Sequence, residues 1–377
     1  MSLSYWEQTS YFKDIDVAII GSGIVGLNAA LTLKKKNNNL KIIVLESGML
    51  PSGASSKNAG FACFGSPSEL LDDLKKHTED EVFSLVEKRW KGLLRLKKNL
   101  GNKNIDFHNW GGYEVFDSKK SFDACASQIE YLNKHTAPII GIKKVYKNAD
   151  NKIKQFGFRD VNHMILNTAE AQIDTGKMIH ALISKVRNAG IEIMNGFKVS
   201  RIEDDGKNVS IFTSDKLVFK SKKVIIATNG FAKQLLPAYQ VDPARAQVII
   251  THPIKKLNFK GTFHFDEGFY YFRNIGNRVL IGGGRNLDFK TEETTELGLT
   301  NLVQKKLEHI LKTMILPDKE HSIDMRWSGI MGVGPQKTSI VKATSKNVFC
   351  AVRMGGMGVA IGSLVGEEVA ELVSESL

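Results

Sequence analysis

The sequence predicts an α/β fold, α+β overall, with a parallel-sheet unit starting at the N-terminus and a second, sheet-rich unit. Three observations carry that reading. Short all-apolar runs near the N-terminus alternate with helical periods, as buried parallel strands and their crossover helices do. A glycine-rich turn joins the first of these runs to the first helical one. Residues 244 to 286, by contrast, alternate strands and turns with no helix between them. At 377 residues the chain exceeds the roughly 100–200 residues usual for one domain, so two domains are the default.

Asp16-Val17-Ala18-Ile19-Ile20 reads as a short buried strand. It runs into Gly21-Ser22-Gly23-Ile24-Val25-Gly26, after which Leu27, Ala30, Leu31 and Leu33 keep a helical period up to a Lys/Asn-rich stretch at 34–39. A second strand, Lys41 to Leu45, ends on Glu46. In such a unit Gly21 permits the tight turn, Gly23 lets the backbone approach a pyrophosphate, and Gly26 lets the helix sit close on the strand. The N–H groups and dipole at the helix N-terminus favour anionic phosphate. An acid at the tip of the second strand can accept hydrogen bonds from a ribose diol. Three glycines alone would say little, but strand, turn, helix, strand and acid in that order describe a Rossmann-like dinucleotide site.

That turn serves NAD and FAD alike, and three later segments select FAD. Gly48 to Gly65, GMLPSGASSKNAGFACFG, is a small-residue loop whose Ser and Asn side chains can bond phosphates and a flat ring, with glycines for close backbone approach. Residues 191 to 230 read as a strand, a hairpin-like excursion turning at Asp204-Asp205-Gly206, and a returning strand from Val224 to Ala227. At the C-terminus a strand at Val348 to Val352 enters Gly355-Gly356-Met357-Gly358 and opens a final helix, whose N-terminus can face an electron-rich ring oxygen.

Between these segments, Glu170 to Gly190 predicts an amphipathic helix capped near Asp174, with Met178, Ile179, Leu182, Ile183 and Val186 inward. Four strands follow in RAQVII, GTFHF, GFYYFR and RVLIGGG, and residues 292 to 316 read as a helix with Leu299, Leu302, Val303, Leu307, Ile310, Leu311 and Met314 on one face. Gly282-Gly283-Gly284 also follows a strand, but Arg-Asn-Leu-Asp after it does not make a helix, so a strand bend is expected there rather than a second nucleotide site.

Hydrophobic residues at 42% and charged residues at 24% are ordinary for a globular chain. The net charge of +12 raises the question of nucleic acid, but the basic residues are scattered and no basic run is interleaved with aromatics, which argues against it. Cys63, Cys125 and Cys350 are too few and too widely spaced for a disulfide framework or a Cys-x-x-Cys site and suit a reducing cytoplasm. No signal-peptide pattern and no apolar run of about 18 residues is present, so neither secretion nor a membrane span is expected.

The pieces GSGIVG at 21–26, LES at 45–47, SGASSKNAGF at 52–61, ATNG at 227–230 and MGGMG at 354–358, with the Ser4-Tyr5-Trp6 opening, resemble the D-amino-acid oxidase superfamily of FAD-dependent oxidoreductases. The likeness is closest to the branch of glycine oxidase, sarcosine oxidase and gamma-glutamylputrescine oxidoreductase. It implies a glutathione-reductase-related FAD domain assembled from 1–100, 165–232 and 323–377, with a substrate domain from 101–164 and 233–322. It also implies that FAD is held by Gly21, Ser22, Gly23, Ile24, Val25, Gly26, Glu46 and Ser47. Ala54, Ser55, Asn58, Ala59 and Gly60 would line the flavin and ribityl region, Val199 the adenine end, and Thr228, Asn229 and Gly230 the pyrophosphate. Arg353, Gly355, Gly356, Met357 and Gly358 would approach the pyrimidine edge of the ring.

The chain also departs from that pattern. Met331 stands where relatives carry a carboxylate-gripping arginine, Ala360 and Leu280 where some carry lysines, and Arg353 where glycine is usual; no covalent-flavin cysteine falls near Gly332. A non-covalent flavin follows. The expected reaction is oxidation of the C–N bond of an amine or amino acid, with oxygen or another carrier as final acceptor. Oxidation of an alcohol or 2-hydroxy acid, or flavin binding without turnover, are the alternatives. Hydride transfer asks little of side chains beyond positioning the C–H bond. The candidates for substrate contact are Tyr271, one of an alternating pair with Tyr270, and the arginines Arg285 and Arg353; His252 and His264 read as ordinary strand histidines.

Overall fold

A mostly apolar strand buried on both faces belongs inside a parallel sheet, and the N-terminal run is central here. The computed structural model describes residues 3–377. Ile15–Ile20 lies between Ile42–Glu46 and Val218–Ile226, parallel to both, and the parallel run extends to Glu192–Asn195 on one side and Val348–Val352 on the other. Ile340–Ala343 closes one edge antiparallel, and Val199–Asp204 and Val209–Thr213 lead antiparallel into Val218–Ile226, so the excursion expected at 191–230 is two turns rather than one. One face of this sheet, through Val17, Ile19 and Val44, packs on the helices Ile24–Lys36, Glu79–Leu100, Thr175–Asn188 and Gly358–Ser374. Asp174 caps the third of these by accepting from Lys177 N at 2.9 Å.

The second sheet has eight strands in the order Ile323–Val333, Asp242–Thr251, Arg278–Gly283, Tyr270–Ile275, Thr262–Phe265, Gly112–Phe116, His163–Asn167 and Tyr146–Asn148. All neighbours are antiparallel except Thr262–Phe265 with Gly112–Phe116. Side chains alternate across it. Tyr270 and Phe272 join Phe158, Phe259 and Phe263 in an aromatic core under the helix Asn301–Ile310, with Phe263 and Phe272 stacked at 4.6 Å. Tyr271 and Arg273 therefore point from the opposite face, toward the first sheet's loops.

Ile323–Val333, expected in the nucleotide unit, pairs along its length with Asp242–Thr251 as an edge strand of the second sheet. One expectation is corrected. The helix expected over 292–316 is a turn at Phe289–Glu292, a loop, then Asn301–Ile310 and a wider π turn at Leu311–Ile315. The loop wraps a buried ion pair, Arg245 to Glu292 at 2.8 Å, whose carboxylate also accepts from Gln247 and Thr300. That leaves Leu299 and Leu302 exposed rather than inward. Among the described residues all three cysteines are buried and free, and no helix is long and apolar enough to cross a membrane.

Candidate active site

A cavity of about 1050 Å³ runs between the two sheets, from Glu46 and Val199 at one end to His264, Tyr271 and Arg285 at the other. Its nucleotide half is built by the glycine turn. Gly21 has φ +110°, a conformation open to glycine, and a Cβ on Gly26 would lie 2.0 Å from the Gly21 carbonyl oxygen. The first intrahelical bond is Leu27 N to Gly23 O at 3.0 Å, which leaves the N–H groups ahead of it without an intrahelical acceptor. Glu46 is buried and oriented from both sides: Ser22 Oγ donates to one oxygen at 2.6 Å, and Gly48 N and Ser52 Oγ donate to the other at 3.0 and 3.1 Å. Thr228 Oγ1 is buried at the cavity wall with no hydrogen-bond partner among the described residues. These features fit FAD: a donor-rich helix end for its phosphates, an anchored acid for its ribose, an orphaned hydroxyl between, and a length of cavity beyond for its ring.

The loop that would flank the ring is a helical turn, Ala54–Lys57, followed by Asn58 to Gly60. Asn58 Oδ1 accepts from Gly60 N at 2.9 Å and from Thr175 Oγ1 at 3.0 Å. Arg273 then ties this loop to the second sheet. Its buried Nη1 donates to Ala59 O, Gly60 O and Ile173 O at 3.0, 2.9 and 2.7 Å, and burial pulls its pKa down to about 10. Trp327 Nε1 adds a bond to Lys57 O at 2.9 Å.

Strand register sets the far wall. Glu114, His264, Tyr271, Gly282, Val248 and Trp327 form one cross-strand row. Tyr271 lies flat across Gly282, where a Cβ would come within 2.7 Å of its ring, and burial pushes its hydroxyl up to about 12. Glu114 accepts from Ser68 N at 3.1 Å and from the Ser68 hydroxyl, and burial raises its carboxyl to about 7. Cys63 reaches the same wall, its thiol pushed well up by burial and by the Glu170 charge, with Met357 Sδ 3.6 Å from its sulfur.

Most of the residues expected to hold FAD meet in this lining. Gly26 and Gly230 stand behind it, packed on the Gly21 and Met331 carbonyls. Arg353 is not in it. Its guanidinium donates to Thr338 O and Gln240 O at 3.0 and 3.2 Å on the far side, and its φ of +66° explains why glycine would suit the position. Arg285 lines the rim, stacks on Phe289 at 4.9 Å and has no carboxylate partner among the described residues. Met331 lines the cavity, Leu280 is buried in its strand, and His252 lies outside near Asp324.

Sequence reasoning missed Arg273 and Glu170, and took His264 for an ordinary histidine. Glu170 is fully buried and accepts from Thr262 Oγ1 at 2.8 Å, with His264 Nε2 at 2.6 Å. The signal available was an acid amid apolar neighbours in Ala169-Glu170-Ala171, but its partners come from a strand about ninety residues later. Burial alone would lower the His264 pKa; the Glu170 charge and hydrogen bond overcome this and raise it from 6.5 to about 9. A raised folded pKa contributes stability that is complete below 6.5 and is lost as pH rises through about 9. The thermal midpoint of wild type should therefore exceed that of His264→Gln most near pH 6.5, and the gap should narrow by pH 9.5, measured by differential scanning fluorimetry.

Comparison with known proteins follows the geometry. The chain matches the FAD dependent oxidoreductase family over residues 16–372. It is 22% identical to the probable oxidoreductase OrdL of Haemophilus influenzae, covering 95% of this chain and 82% of that one. It is also 22% identical to a D-amino acid dehydrogenase of Helicobacter pylori, covering 95% and 94%. Among solved structures, glycine oxidase from Bacillus cereus superposes with a TM-score of 0.77 at 16% identity, covering 97% and 96%. A match of this extent, on a chain whose glycine turn, anchored acid and flavin loop converge on one cavity, places the protein in the FAD dependent oxidoreductase family.

Proposed function

We propose that this enzyme oxidises the C–N bond of an amine or amino acid to an imine, which then hydrolyses in water. The observation that carries the reading is the join of an FAD-fitting half-cavity to an end walled by Tyr271, Phe61 and His264, with Arg285, which has no carboxylate partner among the described residues, at the rim. FAD, when bound, supplies the acceptor for the hydride leaving the carbon next to nitrogen. The protein's own part is to place that carbon, exclude water and hold the substrate's polar ends. Tyr271 contributes a flat wall and a hydroxyl kept protonated by burial. Arg285, half-buried and without a carboxylate, attracts an anionic substrate to the entrance. The similarity to a D-amino acid dehydrogenase along nearly the whole of both chains supports an amino-acid substrate.

The test is an anaerobic absorbance screen of the FAD-loaded protein against amines, amino acids and hydroxy acids. Bleaching by amino acids or amines with release of ammonia or a smaller amine supports the reading; bleaching by hydroxy acids alone, or by nothing, overturns it. Admitting air then shows whether oxygen accepts the electrons. With a bleaching amino acid in hand, Arg285→Gln should lower kcat/KM a few-fold at low ionic strength and have little effect in high salt, since a charge at the entrance acts by attraction that salt screens. Tyr271→Phe should raise KM roughly fivefold, for a neutral bond of about 1 kcal/mol.

A further inference from the structure

The far end of the cavity carries a charged pair outside the residues expected to hold FAD. His264 is buried yet lines the cavity, whereas Glu170 is buried behind it and does not. The carboxylate oxygen 2.6 Å from His264 Nε2 also accepts from Thr262 Oγ1 at 2.8 Å, which fixes the acid. The edge of the Phe61 ring, 5.3 Å away and nearly perpendicular, fixes the imidazole. With Nε2 engaged, Nδ1 is the ring's remaining polar atom, and it has no hydrogen-bond partner among the described residues. Register puts this ring beside Tyr271 on the cavity wall.

We propose that His264 seats the substrate's anionic group, a carboxylate, with Glu170 and Thr262 as positioning residues behind it. The proposal rests on the amine or amino-acid reading above and names the part of the substrate that the far end recognises. A ring with a carboxylate on one nitrogen and a free N–H on the other is a fixed donor, and a charged donor to a carboxylate makes a stronger bond than a neutral pair does. The groups facing His264 are Glu170, Glu114, Glu69, the Cys63 thiol and Tyr271. Glu114 is satisfied by Ser68, and Glu69 accepts from Ser66 N, so Glu170 is the acid bonded to the ring. The raised pKa keeps the imidazolium charged at neutral pH, and the seat empties of charge as pH passes about 9. Amines lacking an acid group lose this contact.

The experiment titrates the FAD-loaded protein with benzoate and with its neutral isostere benzamide, following the perturbation of flavin absorbance from pH 6 to 10. Wild type should bind benzoate roughly tenfold more tightly than benzamide at pH 7, the factor expected of one charge-assisted bond, and lose that preference near pH 9. His264→Gln should abolish the preference while leaving benzamide affinity and flavin content unchanged. Glu170→Gln should move the pH of lost preference down toward that of a free histidine, which a merely structural role would not do. Should His264→Gln fail to retain FAD, the Glu170→Gln midpoint decides. No benzoate preference in wild type, a preference that survives His264→Gln, an equal loss of both ligands, or an unmoved midpoint in Glu170→Gln overturns the proposal. Amino acids that bleach wild type alongside any of these results leave the amine-oxidising reading intact and sink this inference alone; no bleaching by any amine or amino acid sinks that reading instead.

Discussion

Gly26→Val is expected to yield a protein that retains no FAD. The position is in the first turn of the helix Ile24–Lys36, and a Cβ there would lie 2.0 Å from the Gly21 carbonyl oxygen and 3.2 Å from an Ile19 methyl. Neither neighbour can yield. Gly21 is already held at φ +110° by the turn, and Ile19 is in the central strand. The helix must lift from the strand, which carries its N-terminal N–H groups away from the cavity and misplaces Ser22, the residue that orients Glu46. Overpacking ordinarily costs about 1–3 kcal/mol; contact with backbone puts this case at the upper end or beyond it. The check is the ratio of flavin to protein absorbance after purification and after soaking with excess FAD. A yellow, fully loaded variant would show that the turn does not hold the dinucleotide.

The second large effect is expected at Arg273, which no sequence motif marks. Replacing it with Met keeps most of the volume but removes the donor that serves Ala59 O, Gly60 O and Ile173 O. A buried acceptor left unsatisfied costs about 1–3 kcal/mol, so with at least two of these stranded a loss of about 4 kcal/mol is expected. For a chain of this size that lowers Tm by roughly 5 °C. Because two of the carbonyls belong to the loop expected to flank the ring, the same variant should release FAD more readily, read as flavin fluorescence appearing before the protein unfolds on heating. Unfolding and flavin release that stay coincident at the wild-type temperature would show that the loop is held by other contacts.

Much of the nucleotide half was legible in the sequence because its determinants are local. A turn needing positive φ, a close helix–strand contact and an acid at a strand tip occupy Gly21, Gly26 and Glu46, all within one βαβ unit. The C-terminal turn was legible for the same reason, being strand, glycines and helix in sequence. Arg353 shows the limit of that approach. Its neighbours in sequence line the cavity, yet its own side chain turns to Thr338 and Gln240, because the backbone at φ +66° aims it outward.

The parallel strand–turn–helix–strand unit at the N-terminus, the capped helix at Thr175–Asn188 and the alternation that separates Tyr270 from Tyr271 were thus determined by the sequence alone, since apolar period, turn chemistry and caps act within a few residues. Tertiary structure decided the rest. Nothing local in Ile323–Val333 names its partner, and only its pairing with Asp242–Thr251 puts it in the second sheet. Glu170, His264 and Arg273 are ordinary polar residues in sequence. They become a charged pair at the cavity wall and a clamp on the Ala59 and Gly60 carbonyls because folding buries them, and a buried polar group must take whatever partner the topology brings within reach.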